Sequence, residues 1–184
     1  MKTEEKILSE ENIFDGRVFS VRKYSVALPD GTESFREEVL HRGGACMIAV
    51  DNGEIVFVSQ YRLAAKKDLL EIPAGKLEEG EDPQKAAERE LIEEVGLRSK
   101  KTSLIAAVYP SPGYTNEKIY IYYCESFERV AQKLDKGEFL NVVKIPVEKA
   151  FEMVESGEIC DGKTVIALLY LKNKRKTACA LRNA

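Results

Sequence analysis

The chain has 184 residues, of which 44% are hydrophobic and 32% charged, a balance typical of a globular protein with a buried core. Its net charge is −3 with Lys and Arg spread along the sequence, so no basic patch indicates a nucleic-acid partner. No apolar run approaches the roughly 20 residues that span a bilayer, and the charged N-terminus MKTEEKILSEEN lacks the apolar core of a signal peptide.

Residues 13–40 predict a small antiparallel β unit. Turn signals occur at Asp15-Gly16 and Pro29-Asp30-Gly31, and the segment between them alternates apolar and polar residues over positions 18–28. A sheet of this size cannot bury both faces alone, so we expect it to pack on the rest of the chain or on a second subunit. Gly43-Gly44 marks the boundary between the two parts of the chain, an N-terminal β unit (1–42) and a main domain (43–184).

The main domain begins with a predicted β-hairpin. Residues 45–50 and 54–60 are apolar and β-branched, and Asp51-Asn52-Gly53 between them is a good hairpin turn. Further strands are predicted at 69–72, 104–109, 118–125 and 140–145, with the loop PSPGYTNE between the second and third.

Two helices are predicted near the C-terminus. Residues 147–156 begin after Pro146 and carry apolar side chains at helical spacing, and residues 164–171 are apolar enough for a second buried helix. The basic segment KNKRK that follows is most simply a solvated terminus. Strands interleaved with helices predict an α/β fold, an α/β/α sandwich around a mixed central sheet, preceded by the small antiparallel β unit.

Residues 75–97, GKLEEGEDPQKAAERELIEEVGL, are the most informative stretch. Asp82 is a good helix N-cap, Pro83 suits the first helical position, and Gly96 can end the helix in a left-handed conformation. Ala87, Leu91 and Val95 recur every four residues and form one apolar face. We therefore predict a buried amphipathic helix between Asp82 and Gly96.

The acidic residues of this helix crowd a second face, because Glu90 and Glu94 are four residues apart and Glu93 is three from Glu90. Like charges at this spacing repel one another, and a hard divalent cation such as Mg²⁺ would relieve that repulsion. The alternative is a solvated, charge-rich helix, the usual state of helices rich in Glu, Lys and Arg.

The spacing of the fixed residues decides between these interpretations. It follows G-x5-E-x7-R-E-U-x-E-E-x-G-U, where U is apolar, and every position is filled: Gly75, Glu81, Arg89, Glu90, Leu91, Glu93, Glu94, Gly96 and Leu97. The chain thus resembles the Nudix pyrophosphohydrolases. The resemblance implies that Glu90, Glu93, Glu94 and the carbonyl of Ala74 hold Mg²⁺ or Mn²⁺. It also implies that Arg89 orients the glutamates by pairing with Glu81.

Residues outside this motif resemble one subfamily, the ADP-ribose pyrophosphatases. Pro112 lies sixteen residues beyond Gly96, and Gln60-Tyr61-Arg62, LEIPAGKLEEGE and the N-terminal β unit match the same subfamily, so that the resemblance covers residues 10–172. It implies hydrolysis of ADP-ribose to AMP and ribose 5-phosphate by a homodimer in which the N-terminal β unit crosses to the partner.

The same resemblance suggests roles for residues elsewhere in the chain. Arg62 would clamp the diphosphate, and Arg36 would reach the partner's adenosine. Pro112 and Glu117 of the PSPGYTNE loop would lie at the substrate, and Glu117 would also approach the metals. Glu138 matches a mobile-loop glutamate that serves as catalytic base, although Lys136 and Gly137 replace acidic residues of that loop in relatives.

Three aromatic residues are candidates for stacking on adenine: Phe14, Phe19 and Phe35. For each of them, packing in the core is the better interpretation.

Other functions fit the motif less closely. The leaving group could belong to GDP-mannose or another ADP-sugar, because a diphosphate site tolerates variation in the group beyond it. A non-catalytic nucleotide-sugar sensor would be expected to lose motif glutamates, and all are present. Enzymes that remove 8-oxo-nucleotides usually lack both the N-terminal β unit and the proline at position 112.

The four cysteines, Cys46, Cys124, Cys160 and Cys179, are scattered without a C-x-x-C pair and indicate thiols in a reducing cytoplasm. His41 is the single histidine, so the sequence does not predict a zinc site.

Overall fold

A computed structural model describes residues 3–182, with side chains described as far as Thr177, so the side chain of Cys179 lies outside the described residues. The chain divides into two compact units. The first contains the residues up to Gly43 together with Tyr109–Lys118, and the second contains Gly44–Val108 and the residues from Ile119 onward. No helix in the described part of the chain is long and apolar enough to cross a bilayer.

The first unit is a three-stranded antiparallel sheet of β1 (Lys6–Asp15), β2 (Phe19–Ala27) and β3 (Glu33–His41), in that order. Both predicted turns are confirmed. In the second turn the Leu28 N–H donates to the Thr32 carbonyl (2.8 Å), and Gly31 has a φ of 88°, which glycine adopts without steric cost. Strand β1 begins at residue 6, so the prediction that the sheet starts at residue 13 was too short.

Tyr109–Lys118, the segment that contains the PSPGYTNE loop, also belongs to the first unit. The Val39 N–H donates to the Tyr114 carbonyl (2.8 Å), and the Asn116 N–H donates to the Val39 carbonyl (3.3 Å). The loop therefore lies along β3 through backbone hydrogen bonds.

The second unit is built on a seven-stranded mixed sheet. Its strands are β4 (Gly44–Asp51), β5 (Glu54–Arg62), β6 (Lys67–Glu71), β7 (Ala74–Lys76), β8 (Leu97–Val108), β9 (Ile119–Arg129) and β10 (Asn141–Pro146). The order is β10-β5-β4-β9-β8, with β6 beside β5 and β7 beside β4. Strands β4 and β9 run parallel, and the other neighbouring strands of this sheet, within the described part of the chain, run antiparallel.

The predicted β4–β5 hairpin is confirmed. Asn52 and Gly53 have φ values of 51° and 83°, the pair of left-handed conformations that a tight two-residue hairpin turn requires.

Helices cover both faces of this sheet. Helix α1 (Pro83–Val95) packs on one face, where Ala87 and Leu91 join Ala45 and Met47 of β4 in a buried cluster. Helices α2 (Val147–Glu155) and α3 (Gly162–Arg182) pack on the other face. Buried residues of that second cluster include Cys46 and Ile48 of β4, Phe151 of α2 and Leu168 of α3. The alternation along β4 confirms the α/β/α sandwich.

In the second unit, two predicted boundaries differ most from the structure. Strand β8 starts at Leu97 instead of residue 104, because its polar first half is held by pairing with the end of β9. Helix α3 continues through the basic segment to Arg182 instead of ending at residue 171. Lys and Arg are good helix formers, and Lys172 and Arg175 pair with Glu155 (2.5 Å) and Glu148 (3.3 Å) of α2.

Candidate active site

The ends of α1 are fixed by the capping residues that the sequence predicts. Asp82 Oδ1 accepts hydrogen bonds from the N–H groups of Gln84 (3.0 Å) and Lys85 (3.1 Å). At the other end Gly96 has a φ of 65°, and its N–H donates to the Ile92 carbonyl (3.0 Å). The apolar face of α1 is turned to the sheet, so Glu90 and Glu94 lie beside β7 and the residues that precede it.

Gly75 lies in β7 directly against Glu90. A Cβ atom at position 75 would lie 1.8 Å from Glu90 Oε1, so no other residue fits without moving the carboxylate. The glycine of the motif therefore lets the Glu90 carboxylate approach the backbone next to Ala74.

Glu94 is a buried carboxylate without an ion-pair partner among the described residues. Its side chain is almost fully buried, and its Oε2 accepts a hydrogen bond from the Ala74 N–H (2.9 Å). The pKa of Glu94 is raised to about 8, mainly by burial and also by the negative charges of Glu90 and Glu138, while the Ala74 hydrogen bond and the charge of Arg62 oppose the rise.

Arg89 connects three carboxylates of the motif. Its Nε and Nη2 donate to Glu81 (3.0 and 3.1 Å), and its Nη1 donates to Glu90 (2.7 Å) and Glu93 (2.9 Å). The hydrogen bond to Arg89 holds the pKa of Glu81 below its ordinary value. Burial nevertheless raises the pKa of Glu90, although Arg89 opposes this. The single guanidinium of Arg89 thus orients three carboxylates, but its one positive charge does not balance all of their negative charge.

The donor set around Ala74 fits a hard divalent cation. Within the described residues no three Asp, Glu, His or Cys side chains converge closely enough to hold a metal ion by themselves. Mg²⁺ commonly uses one or two carboxylates and completes its octahedron with waters and substrate phosphate oxygens, so Glu90, Glu94 and a backbone carbonyl would suffice. Two neighbouring buried carboxylates with raised pKa values have the electrostatic character of a site that a cation stabilises.

Glu138 lies on an exposed loop, residues 130–140, whose start is attached to the C-terminal end of α1. The Val130 N–H donates to the Gly96 carbonyl (2.9 Å), and the Lys133 N–H donates to the Glu93 carbonyl (3.2 Å). The Glu138 carboxylate accepts from the Asp135 N–H (3.2 Å), and its charge contributes to the raised pKa values of Glu90 and Glu94. The loop thus brings a further carboxylate near the acidic side of α1.

Arg62, at the end of β5, makes a bidentate contact that the sequence did not predict. Its Nε and Nη2 donate to the two oxygens of Glu71 (2.6 and 2.8 Å), and Lys163 Nζ donates to Glu71 Oε2 (2.6 Å). The positive charge of Arg62 partly opposes the rise in the pKa of Glu94. Sequence reasoning missed Glu71 and Lys163; the available signal was an acidic residue inside the apolar run LLEIPA, whose partner lies 92 residues further along the chain.

The remaining predicted site residues, Arg36, Pro112 and Glu117, belong to the first unit. Arg36 lies in β3, where its Nη1 donates to the Phe35 carbonyl (2.8 Å) and its Nη2 pairs with Glu5. Glu117 Oε1 lies 3.5 Å from His41 Nδ1. The other predicted site residues all lie in the second unit: Arg62, Ala74, Gly75, Glu81, Arg89, Glu90, Glu93, Glu94, Gly96 and Glu138.

Comparison with known proteins gives consistent results. Residues 40–166 match the model of the NUDIX domain. The chain is 42% identical to the ADP-ribose pyrophosphatase of Bacillus subtilis (strain 168), covering 93% of this chain and 94% of that protein. It is 40% identical to the methanol dehydrogenase activator of Bacillus methanolicus, covering 92% and 93%. A crystal structure of an ADP compounds hydrolase shares the fold with a TM-score of 0.84 at 21% identity, covering 95% of this chain and 96% of that one.

Proposed function

Because the chain belongs to the Nudix family and is a Nudix pyrophosphohydrolase, we propose that it hydrolyses the diphosphate bond of ADP-ribose to AMP and ribose 5-phosphate. The observation that carries the proposal is the acidic side of α1, where Glu90 and Glu94 are buried beside Ala74 with raised pKa values. The choice of ADP-ribose is supported by the pyrophosphatase relative at 42% identity. The activator relative's name specifies no substrate.

We propose Mg²⁺ or Mn²⁺ as the cofactor, held by Glu90, Glu93, Glu94 and the carbonyl of Ala74. Both ions accept oxygen ligands in octahedral geometry. When bound, such an ion supplies positive charge at the phosphoryl oxygens and makes water a better nucleophile at neutral pH. Arg89 contributes by orientation, since its contacts with Glu81, Glu90 and Glu93 restrict the rotamers of these side chains.

The protein's own residues supply the remaining steps. Arg62 is proposed to bind the diphosphate, because a planar guanidinium matches pairs of phosphate oxygens. Glu138 is proposed to take the proton of the attacking water; the P–O–P bridge then breaks and each product carries one phosphate. Glu138 directly follows Gly137, which has a φ of 95° in the turn of this loop.

A substrate panel tests the proposal. The purified protein with Mg²⁺ is given ADP-ribose, ADP-glucose and GDP-mannose, and the phosphate freed from the products by an added phosphatase is measured. We expect kcat/KM for ADP-ribose to exceed the other two by at least about tenfold, equivalent to about 1.4 kcal/mol of transition-state discrimination. Equal or faster turnover of GDP-mannose or ADP-glucose would make the chain a hydrolase of that sugar nucleotide instead.

Matched variants connect the activity to the site. Glu94→Gln removes a proposed ligand, and turnover should fall by about 100-fold or more. Glu155→Gln changes an exposed glutamate of α2 that pairs with Lys172, and turnover should be unchanged. If Glu94→Gln bound ADP-ribose and the wild type did not hydrolyse it, a sensor would replace the enzyme.

We also propose a homodimer formed through the N-terminal β unit, and a location in the cytoplasm. Large apolar side chains are exposed on the sheet of the first unit, among them Ile7, Ile13, Phe14 and Phe35, each at least half exposed. The expectation that Phe14 and Phe35 pack in the core was therefore wrong. An exposed apolar group of this kind is typical of a protein–protein contact. The described cysteines Cys46, Cys124 and Cys160 are free thiols, as expected in a reducing compartment.

A further inference from the structure

Four charged side chains form a connected group at the start of α3, here called the Glu71 network: Arg62, Glu71, Asp161 and Lys163. Lys163 Nζ donates to Glu71 Oε2 (2.6 Å) and to Asp161 Oδ1 (3.0 Å). Arg62 occupies both oxygens of Glu71 from the other side. The two cations and two carboxylates balance in charge, which allows the network to be largely buried.

Burial within the network is graded from one end to the other. The side chain of Glu71 is 2% exposed and that of Lys163 is 11% exposed, whereas that of Arg62 is 42% exposed. Arg62 is therefore the member that presents itself to solvent. Its guanidinium has five N–H donors, of which two are used by Glu71, so one edge is free to bind an anion.

We infer that Lys163 is a positioning residue for Arg62, acting through the shared carboxylate of Glu71. The inference rests on the proposed function, in which Arg62 binds the substrate diphosphate. A buried carboxylate needs its charge compensated and its lone pairs filled. Lys163 supplies part of this compensation from behind, so the guanidinium of Arg62 is oriented by Glu71 while its outer edge stays available.

The start of α3 is itself firmly held, which makes Lys163 a fixed support. Asp161 Oδ2 accepts from the Thr164 N–H (3.1 Å) and from Thr164 Oγ1 (2.6 Å). Thr164 Oγ1 in turn accepts from the Ile72 N–H (2.9 Å), in the segment that leads to Ala74. The same helix end therefore contacts both Glu71, which holds the arginine, and the Ile72 backbone, two residues before Ala74.

A double-mutant cycle tests the inference. KM and kcat for ADP-ribose are measured for the wild type, Arg62→Ala, Lys163→Met and the double variant. We expect Lys163→Met to raise KM about tenfold in the wild type, with a smaller effect on kcat, and to have almost no effect in the Arg62→Ala background. Lys163→Arg, which keeps the charge on Glu71, should recover most of the lost affinity.

The matched control is Lys172→Met, which removes a lysine of the same helix that pairs with Glu155 (2.5 Å). It should leave KM unchanged. Should Lys163→Met fail to fold, Glu71→Gln takes its place, since it removes the shared charge and should raise KM to a similar extent.

The possible failures are distinguishable. If the wild type hydrolyses ADP-ribose and the effects of Arg62→Ala and Lys163→Met multiply, or Glu71→Gln has a normal KM, the proposed function stands and the positioning role is wrong. If the wild type hydrolyses no ADP-ribose, the proposed function fails and the positioning role fails with it.

Discussion

Glu94 is the residue at which the fold and the proposed chemistry impose opposite demands. A buried carboxylate favours the neutral form, and a metal ligand must be ionised. Its pKa of about 8 lies well above the ordinary value of 4.5, so the metal-free protein keeps this group protonated over much of the neutral range. Binding of a divalent cation would then release a proton.

This shift predicts how stability depends on pH. Because the folded pKa is raised, the stabilisation from the protonated group is fully present below about 4.5 and is lost as the pH rises through about 8. In EDTA, the melting temperature of the wild type should therefore fall between pH 5 and pH 8.5 by more than that of Glu94→Gln. The difference should be on the order of 5 °C.

Thermal unfolding followed by circular dichroism at the two pH values measures this difference. The glutamine keeps the shape of the side chain and has no ionisable proton in this range, so groups common to both proteins cancel. Parallel curves for the two proteins would show that Glu94 is ionised in the fold throughout.

At the residue scale, the sequence predicts local relations well and distant ones poorly. Gly75, Arg89 and the glutamates of α1 follow from fixed spacings within 23 residues of chain, and the structure brings them into contact. Glu71 and Lys163 meet across 92 residues of sequence, and a single chain carries no periodic signal for such a pair.

At the level of elements, the C-terminal end of α1 does two things. Gly96 ends the helix with a φ of 65°, and a Cβ atom there would lie 2.8 Å from the Val130 carbonyl. That carbonyl belongs to the start of loop 130–140, which carries Glu138. The cap of the helix and the attachment of the loop therefore depend on the same glycine.

Gly96→Ala should accordingly lower both stability and turnover. We expect a loss of about 1–2 kcal/mol from the left-handed conformation and a clear fall in kcat from the displaced loop. Asp82→Ala is the control, because it removes the opposite cap at a cost of about 1 kcal/mol and leaves the loop attachment intact. Equal kcat values for the two variants would separate the loop from catalysis.

The elements that the sequence predicts best are those with a strong local pattern. Asp82 and Gly96 predict the two caps of α1, and Asn52-Gly53 predicts the turn of the β4–β5 hairpin. Strand β1 was underestimated because KILSEENIFD alternates poorly and is exposed throughout, so its conformation depends on pairing with β2. The polar first half of β8 was missed for the same reason.

At the scale of the whole molecule, the exposed apolar side chains of the first unit lead to the proposed dimer. Light scattering at micromolar concentration should give twice the mass of one chain. Phe35→Asp, which puts a charge at an exposed position of β3, should shift the equilibrium toward the monomer. Leu169→Asp, at an exposed position of α3 in the second unit, is the control and should remain dimeric. A wild-type mass equal to that of one chain would show that the proposed dimer does not form.

The most direct measurement is product analysis with ADP-ribose as substrate. Purified protein is incubated with ADP-ribose in excess Mg²⁺ or in EDTA, and the products are separated by anion-exchange chromatography. If the carboxylates of α1 hold a divalent cation at the diphosphate, we expect AMP and ribose 5-phosphate in equal amounts with Mg²⁺ and almost no product in EDTA. No monophosphate with Mg²⁺, or the same rate in EDTA, would contradict the account.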